Sequence, residues 1–193
     1  MRVKICGITT LEDAIVCEKN GADAIGFILY KPSSRYIKPE AIREITKNLP
    51  PFISKVGVFV EEDSAFVDEV VEFCKLDVAQ IYGKTTKLGE LKSNYIEVVQ
   101  AKSKDDIQEH REFKLIDAHV KEYGGEGKRI PLEWFKNRDN SKTILAGGIN
   151  ETNIDEVRPY GFYGVDVSSG VESTKGVKSK EMIERFLKKV RGF

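Results

Sequence analysis

At 193 residues the chain is long enough for one domain with a sizeable core, and its 31 Lys+Arg balance 31 Asp+Glu. That balance leaves no basic field for nucleic acid or an anionic membrane, so any polyanion must be held by a local pocket. No apolar run approaches the roughly 18 residues of a membrane span and no charged-then-apolar leader precedes the first strand; together with three cysteines that lack disulfide or zinc spacing, this predicts a soluble, cytoplasmic protein.

Arg2 to Thr9 reads as a first strand whose apolar run breaks on Gly7. Cys6 therefore stands at the rim of a parallel sheet, where α/β proteins keep their chemistry. It is either a small hydrophobe closing the strand or a nucleophile or base. Leu11 to Asn20 carries Leu11, Ala14, Ile15 and Cys17 at helical spacing, which makes Cys17 core packing. Ala22 to Tyr30 is a near-continuous apolar run of the kind buried on both faces of a parallel sheet. Pro39 opens a helix through Leu49 with Ala41, Ile42 and Ile45 on its stripe, and Pro50-Pro51 stops it.

The alternation continues with strands at Ile53 to Val60, Val78 to Tyr82, Ile96 to Ala101, Phe113 to Ala118, Thr143 to Ala146 and Phe162 to Val167. Helices are expected over Ser64 to Cys74, Lys87 to Leu91, Lys104 to His110, Pro131 to Phe135, Glu151 to Val157 and Lys180 to Val190. Eight βα units with no linker and no composition break predict an α/β fold, a single (β/α)8 TIM-type barrel over residues 1–193, rather than an open doubly wound sheet.

In such a barrel the loops after the strands share one face, so distant strand-end residues can meet over the axis. Asp117, closing the run Phe-Lys-Leu-Ile-Asp-Ala, would face Cys6 across that mouth. It is either a cap for the following loop or a general acid opposite a thiolate base, a pair able to move a proton between neighbouring atoms of a sugar. A thiol base has to ionise, so Cys6 would need backbone donors or a cation beside it.

Ala146-Gly147-Gly148-Ile149 and Asp166-Val167-Ser168-Ser169-Gly170-Val171-Glu172 occupy the last two loops. Small residues and hydroxyls there suit close approach of amides to a phosphate. Tyr123 to Lys128 is a glycine-hinged loop after Asp117. Glu122 and Arg129 stand where a Walker motif needs Gly and Ser or Thr, so it reads as a lid rather than a nucleotide loop. Arg35, in Pro-Ser-Ser-Arg-Tyr, could clamp a carboxylate. His110 and His119 are expected to be solvated.

These motifs, in this order and spacing, resemble the phosphoribosylanthranilate isomerase family. The likeness runs from Val3 almost to the C-terminus and rests on Lys4-Ile5-Cys6-Gly7-Ile8-Thr9, Gly21-Ala22-Asp23 with Gly26-Phe27, Ser34-Arg35-Tyr36, Leu115-Ile116-Asp117, Ala146-Gly147-Gly148 and Asp166 to Glu172. The resemblance implies a (β/α)8 barrel performing a cofactor-free, metal-free Amadori rearrangement of N-(5-phosphoribosyl)anthranilate in tryptophan biosynthesis. It also implies a small phosphosugar as the only partner besides a second copy, the chain acting as monomer or homodimer. By that likeness Asp117 is the acid, Cys6 the base, Arg35 the holder of the anthranilate carboxylate, and Gly147, Gly148, Ser168 and Ser169 the holders of the phosphate. Two departures stand out: Tyr82-Gly83 where the family has His-Gly, and Lys175-Gly176-Val177-Lys178-Ser179 where it has Pro-Gly-x-Lys-Asp.

Two rivals remain at this stage. The histidine-pathway isomerase has a carboxylate where Cys6 stands and a twofold-repeated chain, neither of which is present. A phosphate-binding barrel without catalysis would have no use for an acid and base pair.

Overall fold

A computed structural model of the protein describes residues 1–108, 110–118 and 129–192. The Tyr123 to Lys128 loop and His119 lie outside the described residues. The chain forms eight parallel strands: β1 (Arg2–Cys6), β2 (Ala24–Ile28), β3 (Ser54–Val60), β4 (Val78–Tyr82), β5 (Tyr95–Ala101), β6 (Lys114–Ala118), β7 (Thr143–Ala146) and β8 (Gly164–Val167). Each pairs with the next, and β8 returns to β1 with Arg2 opposite Gly164 and Ile5 opposite Val167, closing the barrel. The expected closed architecture is therefore the observed one.

Successive residues of a strand point to opposite sides, so each strand serves two cores. Ile5, Ile25, Phe27 and Phe59 face outward and pack with Ala14, Cys17, Ile42, Val67, Ile183 and Phe186 of the helices. Val98, Leu115 and Ala146, with Ile96, Ile144 and Tyr82, form a separate apolar cluster inside the ring. The interior also carries Lys4, Gln80 and Asp166, all buried. Those polar side chains inside the ring are the first sign of a site.

Helices are regular where their caps and stripes agree. In α1 (Leu11–Lys19) the Thr10 hydroxyl accepts from the Asp13 amide, and in α3 (Ser64–Cys74), which follows α2 (Pro39–Thr46), the Asp63 carboxylate accepts from the Ala65 amide. The buried stripe of α2 is Ile42, Ile45 and Thr46; Ala41, expected on it, faces solvent. On the β5 to β7 side the expected helices shrink. Lys87–Leu91 becomes a single 3₁₀ turn at Leu88–Glu90, Lys104–His110 one at Lys104–Asp106, and Pro131–Phe135 one at Leu132–Phe135. The Asp106 carboxylate explains one of these: it folds back to accept from the Lys102 and Ser103 amides at 2.8 Å each, a closed cap that ends the turn it begins.

Where this outer layer thins, a cavity of about 400 Å³ opens between the ends of β5 and β6 and the turn bearing Pro131 and Trp134. After β8 comes a feature the periodicity did not announce, a small hairpin of β9 (Glu172–Thr174) and β10 (Val177–Lys178), with Lys175-Gly176 at its turn. A short α4 (Ile154–Val157) and a long α5 (Lys180–Arg191) complete the chain. No helix among the described residues is long and apolar enough to cross a membrane.

Candidate active site

The sulfur of Cys6 ends β1 on the inner face, 6% exposed, directly opposite Gly26 of β2. A Cβ built on Gly26 would lie 2.8 Å from Cys6 Sγ and 2.9 Å from Lys4 Nζ, so the bare glycine is the floor on which thiol and ammonium meet. Lys4 Nζ donates to both oxygens of Asp166 on β8 at 2.9 Å. Burial and then the Asp166 charge push the Cys6 thiol up, while Lys4 pulls it back.

Asp117 lies one residue before the end of β6. Its Oδ2 accepts from the Tyr82 hydroxyl at 3.0 Å and its Oδ1 from the Ala118 amide at 2.8 Å. Burial raises its carboxyl to about 6, against the pull of the Tyr82 hydrogen bond. Tyr82 and Asp166 tie the thiol and the carboxyl into one field: each interacts electrostatically with both the sulfur and the Asp117 carboxyl. The Tyr82 phenol is thus a direct partner of the Asp117 carboxyl.

Arg35 is placed differently from the free clamp suggested by its loop. It is 2% exposed, and its Nε and Nη2 donate to the two oxygens of Glu172 at 2.7 and 2.8 Å. Glu172 also accepts from Lys178 Nζ at 2.7 Å and from the Gly176 amide at 3.1 Å. Burial alone would raise this carboxyl, but Arg35 and Lys178 prevail and hold it at about 2. The hairpin of β9 and β10 closes this triad, and it also brings Lys178 Nζ to the carbonyl of Ser168 at 3.0 Å. Ser179 accepts from the Met182 amide as the N-cap of α5.

Gly147 and Gly148 follow one another at φ +92° and +62°, a backbone that other residues adopt at a cost. Asn153 pins that loop by donating to the Gly148 carbonyl at 2.8 Å and accepting from the Asn150 amide at 3.0 Å. The next loop presses against it: a Cβ on Gly170 would stand 2.0 Å from the Ile149 carbonyl. Gly147, Gly148, Ser168 and Ser169 are all half-buried along this seam. His110 is also half-buried, its Nε2 lying 3.4 Å from the Thr143 hydroxyl.

Lys4, Asp166, Glu172 and Lys178 stand within the sequence motifs with no role of their own, and the structure places all four in the buried ion pairs around the sulfur. The signal available was a charged residue in the middle of a strand with a buried pattern, twice, on the strands that close the ring. Among the described residues no group of three or more His, Cys, Asp or Glu side chains is placed to hold a metal.

Known proteins share this sequence and fold. The family model for N-(5'-phosphoribosyl)anthranilate isomerase matches residues 3–189. The chain is 47% identical over 194 residues to the N-(5'-phosphoribosyl)anthranilate isomerase of Nitratiruptor sp., covering 99% of each chain. It is similar in structure to the phosphoribosyl anthranilate isomerase of Thermus thermophilus, with a TM-score of 0.86 and 35% identity over 100% of this chain and 99% of that one. A further similar structure, at TM-score 0.81 and 33% identity over 100% of both chains, is a phosphoribosyl anthranilate isomerase in complex with reduced 1-(o-carboxyphenylamino)-1-deoxyribulose 5-phosphate. The chain belongs to the N-(5'-phosphoribosyl)anthranilate isomerase family.

Proposed function

We propose that the protein catalyses the Amadori rearrangement of N-(5-phosphoribosyl)anthranilate in tryptophan biosynthesis, with Asp117 as general acid and Cys6 as general base. Asp117 gives its proton to the furanose ring oxygen. The C1–O bond breaks as the nitrogen lone pair forms a Schiff base. The Cys6 thiolate then takes the proton from C2, the electrons of that C–H bond neutralise the iminium, and the resulting enolamine tautomerises to the ketone. No step requires a cofactor.

The observation that carries this reading is a carboxyl raised to about 6 and a lysine-flanked sulfur sharing Tyr82 and Asp166 inside one barrel. A carboxyl at that value keeps an appreciable protonated fraction near neutral pH, which a general acid needs.

The seam of Gly147, Gly148, Ser168 and Ser169 holds the phosphate through amides and hydroxyls. Arg35 meets the anthranilate carboxylate with its Nη1 edge, since Glu172 occupies the other edge of the fork. The protein works in the cytoplasm, as a monomer or a homodimer. A solved relative from Thermotoga maritima, 31% identical with TM-score 0.84, is a monomeric form generated from a dimeric phosphoribosylanthranilate isomerase, and sedimentation decides between the two states here.

The test is growth of an isomerase-deficient, tryptophan-requiring host, followed by steady-state turnover of purified Cys6→Ala and Asp117→Asn. The wild type restores growth, and each variant loses a factor of about 10² or more in kcat with its fold intact by circular dichroism. A folded wild-type protein that fails to restore growth ends the assignment. A variant with unchanged kcat removes that residue from its role.

A further inference from the structure

We propose that Lys4, held by Asp166 against the open face of Gly26, is a positioning residue that stabilises the thiolate form of Cys6. The inference rests on the reading of Cys6 as the base, yet its test is made on the sulfur itself.

The geometry comes from strand alternation. Lys4 and Cys6 are two residues apart on β1 and point into the ring one layer apart. A lysine stem is long enough to climb from its own layer, opposite Ala24, to that of the cysteine, opposite Gly26. Both Cε and Nζ of Lys4 come within 2.9 Å of the point where a Gly26 Cβ would be, and Sγ within 2.8 Å of the same point. Any larger residue at position 26 would part them.

An ammonium has three N–H groups. Two are spent on the two oxygens of Asp166, at 2.9 Å each. The third is available to the sulfur. A purely structural ion pair between β1 and β8 would account for the Asp166 contacts. It gives no reason for the ammonium to lie against Gly26, which has no side chain, beside the thiol.

The other charged or titratable groups acting on the sulfur are Asp166 on β8, Lys178 on β10, Arg35 in the loop after β2, and Tyr82 on β4. Arg35 and Lys178 share the one carboxylate of Glu172. Tyr82 hydrogen-bonds to Asp117. Lys4 is the cation that shares the Gly26 face with the sulfur, and its removal leaves Asp166, whose charge also acts on the sulfur, without its ion-pair partner. When the thiol ionises its proton passes to solvent, and the sulfur is then ready to accept the one from C2.

The consequence is a pair of opposite shifts. In Lys4→Met the anion at 166 stays and the cation goes, so the thiol titrates at higher pH. In Asp166→Asn the cation stays and the anion goes, so it titrates at lower pH. The measurement is the pH dependence of iodoacetamide alkylation at Cys6, followed by mass spectrometry of the peptide that contains it. Cys17 and Cys74, pushed up to about 12 and about 11, serve as slow internal references.

Lys4→Met is expected to slow alkylation at pH 7 by about tenfold or more, because one nearby opposite charge shifts a titration by about one to three units. Its kcat falls with KM little changed. Asp166→Asn is expected to speed alkylation. An unchanged midpoint in Lys4→Met, or shifts of the same sign in both variants, overturns the proposal. Should Lys4→Met fail to fold, Lys4→Gln, which keeps a donor to Asp166 but carries no charge, takes over the test, and an unchanged midpoint there overturns the proposal. Full activity of Cys6→Ala would remove the base while leaving the alkylation shifts to be read, which separates the two failures.

Discussion

The proposed base and acid, Cys6 and Asp117, are both buried but have different neighbours. On the side of β1, β8 and β10 the sulfur sits among buried ions: Lys4 with Asp166, and Arg35 with Glu172 and Lys178, side chains exposed by no more than 9%. On the side of β4 to β7 the carboxyl of Asp117 shares the ring interior with the apolar cluster of Val98, Leu115 and Ala146 and accepts from the Tyr82 phenol. The proposed base, Cys6, lies among three cations and two carboxylates; burial and Asp166 raise its thiol and Lys4 and Lys178 lower it. The proposed acid, Asp117, is raised chiefly by burial, against the pull of the Tyr82 hydrogen bond. Burial favours the neutral form of both, and nearby cations oppose it.

Breaking the ionic side is expected to cost most. Glu172→Ala leaves Arg35 and Lys178 buried without their carboxylate and should lose about 3–5 kcal/mol in a urea melt. The same carboxyl, at about 2 against its ordinary 4.5, stabilises the fold fully above pH 4.5 and progressively less as pH falls toward 2. Acid unfolding of the wild type therefore runs through that window, and Glu172→Gln should flatten it.

Asp117 has the reverse sign. Its carboxyl, about 6 against an ordinary 3.8, favours the folded state most below pH 3.8 and loses that contribution as pH rises through about 6. As a general acid it should lose kcat/KM over the same rise. Tyr82→Phe sharpens the contrast from the hydrocarbon side. Removing the hydroxyl that favours the charged form should move the alkaline limb of the pH–rate profile up by as much as about one unit, at a cost of about 1 kcal/mol or less in stability. An unmoved limb would separate Tyr82 from the acid.

The smallest effect is the control. Lys47 and Glu44 form an ion pair as short as those inside the barrel, 2.7 Å, but exposed to solvent. Lys47→Ala should change stability by no more than about 0.5 kcal/mol, which shows that location and not pairing sets the cost.

The legibility of the chain divides along the same line. Helices with a cap and a sustained stripe, such as α3 with Val67, Val70, Val71 and Cys74, and α5 with Ile183, Phe186, Leu187 and Val190, were readable from spacing. The segments after β4, β5 and β6 were overread as helices because a few apolar residues near a charged turn suit a 3₁₀ turn equally well. Cys6, Asp117 and the two glycine-bearing loops were legible as strand-end features, because the strand ends could be placed from the βα period. Arg35 was legible as an arginine but not as one already bound, since its partner lies 137 residues away.

The order of residues alone determined the alternation of strands and helices, the closed ring it implies, and the thiol and carboxyl at its rim, because periodicity and turn chemistry are local. Which charges meet inside that ring was decided only by its closure. Lys4 finds Asp166, 162 residues away, because β8 lies beside β1, and Tyr82 finds Asp117 because alternation aims both side chains at one axis. Local sequence sets which way a side chain points along its own strand, and the pairing of strands sets what it meets.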